Sequence, residues 1–129
     1  MPAPDLIERL DGALRDISEG IDPEAWYSIP LIDAWACLRD GQIPRIWGHS
    51  NRAPGSVSIL TGPILHITWD SAAVRALEGW YRLGRRAEGD TPLTPPSAPR
   101  ALLSGPAFRA RVHGFAAKVD RVVKDADHC

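Results

Sequence analysis

At 129 residues, with 44% apolar and 24% charged side chains, the chain has the size and composition of one ordinary globular domain. Its 2 cysteines, Cys37 and Cys129, exclude a disulfide framework and favour a reducing compartment. The formal net charge of −1 conceals a split: residues 1–42 hold nine acids and three arginines, a balance of −6, which leaves +5 for the rest. Two faces of opposite potential are therefore expected.

The N-terminus lacks the basic start and apolar run of a secretory signal, and no segment reaches the ~18 apolar residues of a membrane span. A cytoplasmic protein with no membrane partner is the expectation. The first element is a helix over about 5–19. Asp5 and Glu8 have capping-box spacing, Leu6, Leu10, Leu14 and Ile17 form one stripe, and Gly20 is a natural stop. Asp22-Pro23 starts a second, short helix that Pro30 ends. Leu31, Trp35 and Leu38 then share a helical face, which predicts another short helix over 31–38.

From Ile43 the period becomes two. Residues 45–49, 56–60 and 64–69 read as strands, the last with Leu65, Ile67 and Trp69 on one face. Thr61-Gly62-Pro63 is a tight turn, so a three-stranded antiparallel meander is predicted. Val74, Leu77, Trp80 and Tyr81 give a fourth helical stripe, closed near 83 by Gly84 and packed on that sheet. Residues 87–103 form a proline-rich linker. A long C-terminal helix over 104–129 follows, capped by Ser104. Its Phe108, Val112, Phe115, Val119, Val122 and Ala126 are spaced 4, 3, 4, 3 and 4. The fold class is thus α+β, with one domain over 1–86 and a tethered helix. The expected core comprises Leu10, Leu14, Trp35, Ile59, Ile67, Leu77 and Trp80.

Chemistry is sparse. His49 and Ser50 lie in the polar loop Gly48-His-Ser-Asn-Arg-Ala-Pro-Gly55, but neighbours on an extended chain point apart and make no nucleophile–base pair. No metal-ligand spacing, phosphate loop or nucleophile elbow is present, so no catalytic residue, cofactor or metal is assigned. His66 and His113 read as structural. The 5 tryptophans are unusual and suit interfaces as well as cores. Trp47, His49, Asn51, Arg52, Arg82, Arg85 and Arg86 are the candidate binding residues; with Trp26 and Arg45 they have the types of a stacking and phosphate-binding surface. Phe108, Val112, Phe115, Val119 and Val122 are the candidate interface with another protein or a second copy of the chain.

Pro30-Leu-Ile-Asp-Ala-Trp35, Gly48-His49 and Gly79-Trp-Tyr-Arg-Leu-Gly84 resemble a family of small alphaproteobacterial proteins known only as a domain of unknown function. The resemblance covers about residues 28–86, and Ser50 stands where the family pattern has proline. It implies no activity, cofactor or catalytic residue, and points to an accessory, host-interaction or defence-related role. The leading expectation is a non-enzymatic protein-binding or regulatory module, for example an anti-defence protein from a phage or mobile element. A nucleic-acid-associated accessory protein is the alternative, and a small enzyme the third reading.

Overall fold

A computed structural model describes residues 4–50, 57–86, 100–102 and 105–127. Helix α1 spans Pro4–Glu19, and a short 3₁₀ segment covers Pro23–Ser28. Seven strands follow: β1 Leu31–Asp40, β2 Ile43–Ser50, β3 Val57–Leu60, β4 Ile64–Ile67, β5 Ala73–Ala76, β6 Gly79–Leu83 and β7 Arg100–Leu102. Helix α2, Gly105–Asp127, ends the described chain. None of the described helices is long and apolar enough to cross a membrane.

The three-stranded antiparallel meander is corrected to a seven-stranded mixed sheet of order β3-β2-β1-β6-β5-β4. β6 runs parallel to the start of β1, and β7 pairs antiparallel with its end, on the same side. β3 and β4 are the two ends of this order, yet only Thr61, Gly62 and Pro63 join them. Six strands about 4.8 Å apart would span about 24 Å if flat, whereas that link reaches about 14 Å. The sheet must therefore curl. Thr61 closes the gap from inside: its N–H donates to Ile46 O at 2.9 Å, and its hydroxyl accepts the Ile46 N–H at 3.0 Å. The Glu78 carboxylate accepts the Gly62 N–H, and Leu77 N–H donates to Pro63 O.

Two predicted helices are strands. Residues 31–38 belong to β1, where Ala34 takes φ 49° and the register against β2 slips by one residue between Asp33 and Ala36. This β-bulge puts Ile32 and Trp35, three apart, on the buried side, so the strand imitates a helical spacing. Residues 73–83, within the predicted fourth helix, form the β5–β6 hairpin, in which Val74 pairs Tyr81 and Arg75 pairs Trp80 around a Leu77-Glu78 turn. The three strands read near 45–49, 56–60 and 64–69 hold as β2, β3 and β4. Trp69, read on one strand face with Leu65 and Ile67, lies past the end of β4 and is 90% exposed, while Leu65 and Ile67 are buried.

α1 behaves as its sequence requires. Its end is set by Gly20, φ 79°, whose N–H returns to Asp16 O. The 3₁₀ segment starts at Asp22, whose carboxylate accepts the Glu24 N–H at 3.0 Å. The predicted linker lies mostly outside the described residues, but Arg100–Leu102 within it is β7.

The core has two parts. Ile32, Trp35, Ile46, Ile64, Val74 and Leu83 fill the curl of the sheet, and Phe108 and Val112 of α2 close over them. Leu10 and Ala13 of α1 meet Leu65, Val119 and Val123, with Leu14 and Leu77 at the edge. Of the expected core, Leu10, Trp35 and Ile67 are buried; Leu14, Ile59, Leu77 and Trp80 are half-buried. Arg75 is buried too, donating to Asp16 from its Nε and Nη2 and to the carbonyls of Ala76 and Leu77.

Cys37 is a free thiol inside the curl, and burial pushes its pKa up from 9.0 to about 11 against weaker pulls from Arg86 and Arg109. The thiolate is the reactive form. Native protein at about pH 8 should leave the Cys37 peptide unalkylated by iodoacetamide, and urea should expose it. Rapid native labelling, read by mass spectrometry, would contradict its placement. Because the folded pKa is raised, the thiol's contribution to stability is complete below about pH 9 and is withdrawn as pH rises toward 11.

Candidate functional site

Arg82, Arg85 and Arg86 lie at the end of β6 and just beyond it, with the exposed Tyr27 and Trp69 on the segments that hydrogen-bond to this end. The parallel pairing of β1 with β6 sets Leu31 beside Arg82 and Ile32 beside Leu83, and continues as a bridge from Trp35 to Arg86. Gly84 N–H donates to Ile32 O, and Trp35 N–H to Arg85 O. The Trp35 indole N–H donates to Gly84 O at 2.9 Å, so this half-polar ring is satisfied while its face lies 5.5 Å from the Arg86 guanidinium.

Asp33 sits at the bulge. Its carboxylate accepts the Arg85 N–H at 2.7 Å, and the Arg85 guanidinium stands 4.0 Å away. The Arg85 N–H bond holds the Asp33 carboxyl below its ordinary range; burial opposes this, while the Ala34 N–H, the Arg85 charge and His49 add to it. His49 is the cross-strand partner of Asp33, and its Nδ1 is buried without a hydrogen-bond partner among the described residues. Burial along β2 alternates, so half-buried His49 and buried Ser50 point to opposite faces, as expected of an extended chain.

The 3₁₀ segment adds two rings. The Arg82 guanidinium lies 6.0 Å from the Trp26 ring and 5.7 Å from Tyr27, and its Nε–H donates to Ile29 O. Tyr27 is nonetheless 85% exposed. Trp69 projects from the neighbouring turn, tied to this end by the Leu83 N–H bond to Ala72 O. The turn is rigid by construction: the Thr68 hydroxyl donates to Asp70, whose carboxylate also accepts the Ala72 N–H. These two bonds, in that order, hold the Asp70 carboxyl below its usual value. From α2, Arg109 donates to Thr68 O, Trp69 O and the Ser71 hydroxyl.

Of the candidate residues, Arg82, Arg85 and Arg86 come together at this end, His49 approaches through Asp33, and Trp47 is half-buried two residues along β2. Asn51 and Arg52 lie outside the described residues. The helix seam is placed differently. Phe108, Val112 and Val119 are buried in the chain's own core, Phe115 is half-buried, and Val122 is 38% exposed. Val123 takes the buried place the heptad gave to Val122, because a straight helix of 3.6 residues per turn drifts off a 3.5 repeat. Sequence reasoning missed Asp33, Tyr27, Trp69 and Arg109. The turn-forming run Thr68-Trp-Asp-Ser71 was the signal available for Trp69. His66 is half-buried and edge-on to Trp80 at 6.3 Å; burial lowers its pKa, with His113 and Arg109 adding to the effect.

This end combines hydrogen-bonded arginines, fixed turns and outward aromatic faces, which can grip a surface by stacking and by charge-assisted bonds. Comparison with protein-family models, curated proteins and solved structures finds no match to the chain.

Proposed function

We propose that the protein is a cytoplasmic, non-enzymatic binding module that grips a partner protein with the Arg/aromatic end of its sheet. One observation carries this reading: Tyr27 and Trp69 are 85% and 90% exposed, Tyr27 with its ring 5.7 Å from the Arg82 guanidinium and Trp69 on the hydrogen-bonded turn that Leu83 N–H ties to β6 through Ala72 O. Large aromatics are normally at least half-buried, and Trp, Tyr and Arg are the residue types that dominate binding energy at protein interfaces. A regulatory protein that blocks a host system, carried by a mobile element, is the concrete form suggested by the resemblance of residues 28–86.

The same stacked arginines support a second reading, single-stranded nucleic acid, in which bases stack on Tyr27 and Trp69. A photo-crosslinking amino acid placed at position 27, and separately at 69, distinguishes the two in the cell of origin. The expected result is one protein adduct common to both positions and absent with the probe at exposed Arg15. Nuclease-sensitive adducts would transfer the function to nucleic acid, and adducts no different from the Arg15 control would remove the proposal. In vitro, tight oligonucleotide binding that weakens steeply with salt would also favour the second reading.

A further inference from the structure

A second surface lies away from the arginine end, where α1, α2 and the β1–β2 turn meet. Leu10, Phe115, Val119 and Val122 floor an open groove of about 380 Å³ whose rim carries Gln42, Arg111 and Lys118. It follows α2 from Arg111 to Val122, about 16 Å or three helical turns. Val122 is one of the few large apolar side chains left exposed among the described residues.

Gly114, in the same wall, is unexplained by the chain's own packing. A mid-helix glycine weakens a helix, yet among the described residues nothing beyond the helix's own backbone and the adjoining residues lies within 4 Å of a Cβ built there. The bare backbone leaves room for another element to come close. Among the described residues the rim cations have no acidic partner: Arg111 bonds the neutral Gln42 carbonyl at 2.8 Å, and Lys118 makes no ion pair.

We propose that this groove receives an amphipathic helix of a partner protein, about three turns long, with apolar anchors at i, i+3 or i+4 and i+7 and carboxylates on its flanks. The basic rim favours an occupant with flanking carboxylates; a second copy would set Arg111 and Lys118 against their own kind only where they lie on the two-fold axis, so the dimer is an outcome of the test. The chain's acidic helix α1 cannot serve in trans, because its apolar stripe is already packed on α2. The inference is separate from the Arg/aromatic end and does not depend on it.

The test uses the full chain and two fluorescent peptides, each a leucine-anchored amphipathic helix of about three turns, one with Glu flanks and one with Lys flanks. Anisotropy should show the Glu peptide binding at least about tenfold more tightly. The double variant Arg111→Glu/Lys118→Glu should invert that preference. Gly114→Leu should block the Glu peptide while the melting temperature holds or rises, since leucine favours a helix. Equal binding of both peptides, or unchanged binding by the Gly114 variant, overturns the proposal. So does a dimer in sedimentation that Gly114→Leu abolishes, which would give the groove to a second copy.

Discussion

Phe108→Ala is expected to lower the unfolding free energy by about 3–5 kcal/mol, read as a large drop in the urea midpoint. Phe108 has 0% exposure and packs with Ile32, Trp35 and Ile64 inside the curl, so truncating it leaves a cavity in a close-packed core. Such a loss is a third or more of the total stability of a typical domain. Val122→Ala, on the same helix but 38% exposed, should change stability by only a few tenths to about 1 kcal/mol. The contrast separates the two roles offered for this helix. If α2 were a tethered contact device, both substitutions would leave the melting curve nearly unchanged. Truncation after Arg100 removes Phe108, Val112, Val119 and Val123 together, so the shortened chain should unfold rather than pass from dimer to monomer. A truncated chain that keeps a cooperative transition would contradict the packing.

Gly48→Ala should cost about 3 kcal/mol, although it adds one methyl group to a strand. A Cβ at Gly48 would lie 2.5 Å from Ile32 Cγ2, 3.0 Å from Asp33 O and 3.2 Å from the Trp35 Cα. Two of those three atoms are backbone, part of the bulge that Ala34 makes, and cannot rotate away. Glycine is present because the bulged β1 backbone occupies the place of a side chain. Gly12→Ala is the control, since a Cβ there meets nothing within 4 Å; helix propensity predicts a gain of about 1 kcal/mol. Equal melting temperatures for the Gly48 variant and the parent would mean that the bulge is not where it is drawn. The substitution also bears on the candidate site, because it pushes on the carbonyl of Asp33. A folded Gly48→Ala protein should therefore show altered chemical shifts at Arg85, whose N–H donates to the side-chain carboxylate of the same Asp33.

The sequence by itself determined the elements whose signals are local. Helices α1 and α2 follow from apolar stripes, the stop at α1 from Gly20, and the 3₁₀ segment from Asp22-Pro23. β2, β3 and β4 follow from alternation and from the Thr61-Gly-Pro63 turn. The arginines at 82, 85 and 86 were named as candidates from residue type, on a segment read as a helix end that is the end of β6. Only the tertiary structure decided the rest, and each case has the same physical reason. In β1, one extra residue at Ala34 shifts the alternation, so Leu31, Trp35 and Leu38 match a helix unless the partner strand is known. In the β5–β6 hairpin, the Leu77-Glu78 turn lacks the Asn-Gly or Asp-Gly signature; it is held by Gly62 and Pro63 from another part of the chain. Whether α2 was core or interface depended on a cavity that exists only once the sheet curls. Asp33 joins the arginines through a bond to a residue 52 positions away, and no local pattern carries that pairing.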